Sequence, residues 1–397
     1  MTDLPRWGLL SLSAAAAVTL LTELLPAGLL LSMSASLAVS PGRIGLLAGV
    51  FALASTVSAI PFTTLTRGLG RRRLLIVLMI GLGAANLATA VSTSYPLTLG
   101  IRLVAGLING MLWSMVASSA ARMVPASQRG RAIAITLAGI TVTLAAGVPV
   151  GTALAGWIGW RPTFGGLGAL AVLVAVWIRV AVPAIDGEPA GNRVRVIRIL
   201  RRPGLGAVLV VNGLLLLGHQ AMYTYIGPFS ARSPGVPISL VLLIFGAASV
   251  VGIWIAGVLA DRRLRAALLT TLSLVTVAML GLGQVGDDRA GLLVPVAIWG
   301  LAFGAAPTLL QTALIQCSGP AQADVASSIQ TTVYNAGIAG GALIGEAILD
   351  GPGAGALPWA ALPLVVGALA IAASIRQLVV PTRRVGDRRV NVNSERS

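Results

Sequence analysis

The chain has no lysine, one cysteine and one histidine, and only 10% of its 397 residues are charged. A lone cysteine, Cys317, excludes an intrachain disulfide and any cysteine-based metal cluster. A lone histidine, His219, excludes a histidine cluster as well. No Walker-type phosphate loop, no Gly-x-Ser-x-Gly elbow and no His-Glu-x-x-His helix occurs along the sequence. ATP-driven pumping and metal-dependent hydrolysis are therefore set aside, and neither enzymatic activity nor a cofactor or metal is expected.

What is present is apolar. Hydrophobic residues make up 56% of the chain and the mean hydropathy is +0.91, values of a protein mostly embedded in lipid. At roughly 20 residues per span, the length is consumed by membrane helices and short loops. Apolar runs separated by turn and charge signals predict spans over 8–35, 43–66, 74–93, 96–121, 132–155 and 162–182. After a polar stretch come 204–229, 237–260, 266–285, 290–316, 324–349 and 357–380. The first run carries Glu23 and Pro26 and lacks a convincing cleavage site, so it is expected to stay as a span and not to be removed as a signal peptide. The fold class is thus an all-α membrane protein of twelve transmembrane helices, arranged as two six-helix bundles. The expected divisions are 1–184, a linker at 185–203, a second bundle at 204–380 and a tail at 381–397.

All 28 basic residues are arginine, giving a formal charge of +16. That usage reflects genome base composition more than function. Along alternating loops, one side collects Arg67, Arg71, Arg72, Arg73, Arg122, Arg129, Arg131, Arg193, Arg195, Arg198, Arg201, Arg202, Arg262, Arg263, Arg265 and the tail arginines, while the other holds Arg43, Arg161, Arg232 and Arg289. This positive-inside asymmetry places both termini in the cytoplasm of a bacterial inner-membrane protein. It also accounts for the charge without a nucleic-acid partner. The linker, with its basic, half-apolar run from Arg193 to Arg202, is expected to lie on the membrane surface as a short amphipathic helix. Six spans, a linker and six more is the layout of two repeats with a substrate site at the midplane between them.

Acids within spans reduce to Glu23 and Glu346. An ionised group at a helix centre costs about 2.5–3.5 kcal/mol on insertion scales, so such residues usually face a cavity or a partner. Glu23 stands about 22 Å along its span, counted at roughly 1.5 Å per residue, near the middle of the membrane. There it can load a proton from one side and release it to the other, hydrogen-bond substrate directly, or complete a structural pair. Glu346 lies near the outer end of its span, as an interfacial acid or a functional one. His219 sits at the depth of Glu23 in the first helix of the second half, followed by Gln220, Tyr223 and Tyr225, donors and ring faces suited to a neutral polar ligand. Tyr334 and Asn335, beside the glycines of the eleventh span, are further cavity candidates. Asn109, Asn212, Gln311 and Gln330 fit a role in bonding helix to helix. Arg102, inside the fourth span with Gly106 and Gly110 below it, needs an acid or carbonyls as partner, and Glu23 is one.

Taken together, these residues resemble the Major Facilitator Superfamily, and within it the twelve-helix drug:proton antiporters. Arg102, Gly106 and Gly110 fall where that family's fourth helix keeps an arginine and glycines associated with proton transfer. GVPVGTALAGWIGWRPTF is similar to the antiporter signature of the fifth helix, with Gly147, Pro149, Gly151 and Gly156 in register. TELLPAGLL, YTYIGPF and VYNAGIAGGALIG look like the sugar-efflux and arabinose-efflux subgroup. That likeness implies that Glu23, His219, Tyr223 and Tyr225 line a central cavity. The first-half loop PFTTLTRGLGRRR departs from the family by lacking an aspartate, whereas GVLADRR keeps Asp261 and Arg262, onto which the charge latch would fall. The resemblance implies a proton-coupled exporter working by alternating access as a monomer, with protons and a small molecule, a sugar or a drug, as its partners. Sugar-like cargo is favoured because the candidate cavity holds few charges. Chloramphenicol-type or multidrug efflux is the alternative, and a non-transporting membrane sensor is the reading from another class.

Overall fold

The computed structural model describes residues 4–65, 69–125, 128–184, 204–284, 289–318 and 323–374. Twelve helices in it are long and apolar enough to cross a membrane, and the chain is a multi-pass membrane protein. They run as α1 (Arg6–Leu37), α2 (Pro41–Leu65), α3 (Arg71–Val91), α4 (Tyr95–Arg122), α5 (Arg129–Ile158), α6 (Trp160–Ala181), α7 (Leu205–Tyr223), α8 (Ile238–Ala260), α9 (Arg263–Gly283), α10 (Arg289–Ser318), α11 (Ala323–Asp350) and α12 (Leu357–Ser374). The expected linker helix and the tail lie outside the described residues. An even number of crossings puts residues 4 and 374 at one end, here the terminal end. The opposite end is the far end.

Two helices depart from a simple span, and proline explains both. The seventh predicted span is continuous over 204–229, but α7 stops at Tyr223 and a short helix, Ile226–Ser230, resumes after a turn in which Tyr225 has φ −109° and ψ 22°. Pro228 has no N–H to give to a preceding turn, so it is accommodated in the first turn of a new helix instead of the interior of a long one. In α5 the turn Thr143–Gly147 is a π-helix, with the N–H of Val148 reaching back to the Thr143 carbonyl. Pro149 follows directly, and the widened turn absorbs its missing donor.

Glycines set the helix spacing where contact is closest. A Cβ on Gly106 would strike the Phe51 carbonyl, and one on Gly110 the Ser55 carbonyl, so α2 and α4 touch backbone to backbone. In the second half Gly300 and Gly304 meet the Phe245 and Ser249 carbonyls in the same way, joining α8 to α10. The four residues of each set are spaced identically along the chain, and this makes the two halves structural repeats. Ser55 reinforces the first contact by donating to the Gly106 carbonyl at 2.9 Å. Gly156, by contrast, has open space where a side chain would be.

Contacts between the halves gather toward the far end. Gly246 of α8 rests on the Leu144 carbonyl of α5, and Gly49 of α2 faces Ala339 and Ala342 of α11. Tyr225 is fully buried between Gly45 and Gly345, where its hydroxyl donates to the Ala342 carbonyl at 2.7 Å and lies 3.2 Å from the Gly42 carbonyl. One phenol therefore bridges α2 and α11. Ser40 adds a bond to the Asp350 carboxylate at 3.2 Å. Toward the terminal end, Gln330, Tyr334 and Asn335 of α11 are only half-buried and Gln311 of α10 is exposed. The contacts described between the halves thus lie toward the far end.

Gly110→Leu is expected to lower the melting temperature of the purified protein by more than about 5 °C or to abolish its folded yield, while Gly156→Leu leaves both unchanged. Tyr225→Phe removes the bridging hydroxyl, and each such bond contributes about 0.5–1.5 kcal/mol. Spin labels at the far ends of α2 and α11 should then show a several-fold rise in the population at longer distance. An unchanged distance distribution would mean the hydroxyl does not hold that end closed.

Candidate functional site

The site begins with a backbone gap in α1. Pro26, buried inside the helix, cannot donate to the carbonyl four residues earlier, which belongs to Thr22. Arg102 of α4 supplies the missing donor, its Nη1 standing 3.0 Å from the Thr22 oxygen. The guanidinium is wholly buried, and the ring of Phe51 on α2 lies 4.5 Å from its central carbon. The Thr22 hydroxyl donates to Val18 at 2.9 Å and accepts from Asn86 of α3 at 3.0 Å. Four helices therefore converge on the peptide beside Glu23.

Glu23 itself is half-buried. It feels the charge of Arg102, and the polar side chains of Asn109 and Trp113, both on α4, stand beside it. Asn109 is fixed from behind, donating to the Ser55 hydroxyl at 3.1 Å. Across the gap between the halves, Tyr334 of α11 lies within electrostatic reach of Glu23 on one side and of Tyr223 on the other. Nη1 of Arg102 donates to the Thr22 carbonyl, with Nε and Nη2 lacking hydrogen-bond partners. A cation–π contact contributes about 2 kcal/mol when desolvated and a charged hydrogen bond about 1.5–3. Together they offset the cost of placing a charge at mid-span, about 2.5–3.5 kcal/mol on insertion scales, and the nearby Glu23 adds an electrostatic attraction.

The second half answers with rings. His219 is buried and stacks nearly parallel on Phe303 of α10, ring centres 3.3 Å apart, and on Tyr223 at 5.3 Å. Phe245 of α8 and Trp299 of α10 close around it at 5.9 and 5.1 Å. Its Nδ1 is buried without a hydrogen-bond partner. By the register of the paired glycines, Phe303 holds on α10 the place that Asn109 holds on α4.

Several sequence candidates lie elsewhere. Gln220 is buried against Gly341, in the packing of α7 on α11. Tyr225 belongs to the far-end contact described above, away from the Glu23 cluster. Asn335 follows Tyr334 on α11 and is half-buried. Gly147 and Gly151 face Leu21 and Leu25 of α1, which brings the signature helix against the helix carrying Glu23. Pro149 is buried just after the π-turn, and Gly156 faces outward. The side chains of Asp261 and Arg262 lie outside the described residues. Glu346 stands at the far end near Asp350, Arg43 and Tyr95, whose hydroxyl donates to the Arg43 carbonyl at 3.0 Å. Sequence reasoning missed Trp113, Phe303, Phe51 and the Thr22 carbonyl. Only the last had a signal, a proline four residues on. Among the described residues no group of three or more His, Cys, Asp or Glu side chains is placed to hold a metal ion.

Comparison with known proteins places this geometry. The chain is 31% identical over 377 residues to the purine ribonucleoside efflux pump NepI of Salmonella enteritidis PT4 (strain P125109), covering 94% of this chain and 95% of the relative. The same figures hold for the pump of that name from Salmonella gallinarum (strain 287/91 / NCTC 13346). Among solved structures, a bacterial homolog of the human lysosomal transporter Spinster, inward-facing and occupied, superposes with a TM-score of 0.72 at 16% identity over 94% of this chain and 95% of that one. The unoccupied form gives 0.70. The model of the Major Facilitator Superfamily matches residues 10–342. With that match over most of its length, the chain belongs to the Major Facilitator Superfamily and is a membrane transporter, not an enzyme.

Proposed function

We propose that the protein exports a small, neutral, hydroxyl-rich molecule from the cytoplasm in exchange for protons. The observation that carries the reading is Glu23: a mid-span carboxyl group that reaches the space between the halves and is backed by an arginine whose charge is already accommodated. Because the Thr22 carbonyl and the Phe51 ring meet part of the Arg102 charge, Glu23 can exchange its proton without leaving the guanidinium bare. The arginine asymmetry supports a cytoplasmic terminal end, and in that orientation the cavity is open to the cytoplasm. Protonation from outside and substrate loading from inside then compete for one cavity, and each closes the path of the other in turn. The names of the relatives support efflux as the direction. The donors and acceptors around Glu23 and Tyr334 suit sugar hydroxyls, whether of a free sugar or of a nucleoside.

Glu23→Gln is expected to abolish uptake driven by a proton gradient in inside-out vesicles while substrate exchange without a gradient persists. Undiminished pumping would remove Glu23 from the coupling step. Pro26→Ala restores an N–H to the Thr22 carbonyl and displaces Arg102 from it. Loss of one charged hydrogen bond, about 1.5–3 kcal/mol, should lower gradient-driven transport about tenfold or more. Transport at the original rate would show that the Arg102 contact is dispensable.

A further inference from the structure

At the far end, α2 begins against the other half of the molecule. Ser40 precedes Pro41 and its hydroxyl oxygen accepts the N–H of Arg43 at 3.3 Å, so it caps the first turn of α2. The hydroxyl hydrogen goes elsewhere, to the Asp350 carboxylate at the end of α11, 3.2 Å away. That carboxylate lies over Gly42: a Cβ there would stand 2.7 Å from Oδ1 and 2.9 Å from Oδ2. Glycine at this place leaves room for an acid of the second half to rest on the opening turn of a helix of the first. The start of a helix carries unpaired N–H groups and partial positive charge, which an anion satisfies.

Further charges surround this contact. Glu346, one turn before Asp350 on α11, feels Arg43 of α2 as well as Asp350. Tyr95 of α4 lies within reach of Glu346 and Arg43, and Tyr225 within reach of Glu346 and Asp350. Two like charges four residues apart on one helix repel. Arg43 and the start of α2, both of the first half, offset that repulsion only while the halves touch. Asp350 is exposed and Glu346 half-buried, so neither acid is held in place by burial.

We propose that Asp350 and Glu346, set against Arg43 and the amino end of α2, form an electrostatic clasp that holds the far end closed. In this state α2 draws part of its cap from the other half. Opening leaves Ser40 alone at that helix start and leaves the two acids facing each other. The Tyr225 hydroxyl bridges the same two helices through carbonyls; the clasp differs from it in answering to charge. The clasp requires neither a particular cargo nor a particular coupling ion, so it stands or falls apart from the export reading.

The test is the distance between spin labels in the purified full-length protein without substrate or gradient, with cysteines introduced at Thr93 and Pro234, exposed positions in far-end turns of the first and second halves, and Cys317→Ser as background. Asp350→Asn keeps an oxygen for the Ser40 hydroxyl and removes only the charge. It should raise the ratio of long to short distances about two- to tenfold, the effect of one charge at a helix terminus. Gly42→Ala should shift the ratio the same way, because its methyl group displaces the carboxylate, although alanine is the better helix former. In wild type, with no substitution at the clasp, raising ionic strength from about 0.05 to about 0.5 M screens exposed charges and should lengthen the distribution; Asp350→Asn with Glu346→Gln should respond less. An unchanged distribution in Asp350→Asn overturns the clasp. So does a shift toward shorter distances in Gly42→Ala, or a salt response of equal size in wild type and the double variant.

Discussion

A single backbone carbonyl organises the centre of the first half. Pro26 leaves the Thr22 oxygen without its helical donor, and in lipid an unpaired carbonyl must find another partner. Arg102 provides it from a neighbouring helix. Placing a guanidinium there requires Phe51 beneath it, and the close approach of α4 to α2 that brings Phe51 near is allowed by Gly106 and Gly110. The same α4 then carries Asn109 and Trp113 to Glu23. One missing N–H thus accounts for the arginine, the glycine contact and the setting of the acid.

The two halves share this scaffold but fill it differently. Gly300 and Gly304 bring α10 onto α8 as Gly106 and Gly110 bring α4 onto α2. Where the first half has an acid, an amide and a buried cation, the second has His219 among four aromatic side chains. A polar wall therefore faces an aromatic one. On the function proposed above, proton exchange belongs to the first half. The Tyr225 bridge at the far end joins them where they close.

Twelve spans were legible because lipid imposes length and apolarity on every helix, and those are local properties of sequence. Glu23 and Arg102 were legible because charge within a span is rare. The rest depended on rotation about helix axes. Tyr223 and Tyr225 are two residues apart, hence on nearly opposite faces of a helix, and the break before Ile226 separates them further. Phe303 and Trp113 could not be singled out, since an aromatic residue in an apolar span can face lipid, core or cavity. Asn109 reads as a polar contact between helices until α1 is seen beside it. The π-turn at Thr143–Gly147 was visible only as a glycine and a proline in a signature.

The proposed antiport requires that substrate and proton move in opposite directions through one cavity. Its most direct test is a pH indicator trapped in proteoliposomes of the wild-type protein. With no imposed proton gradient, an outward adenosine gradient should drive protons inward, acidifying the lumen with a fixed proton-to-substrate ratio, regardless of sodium. Adenosine movement with no change in lumenal pH, or movement that requires sodium, would contradict it.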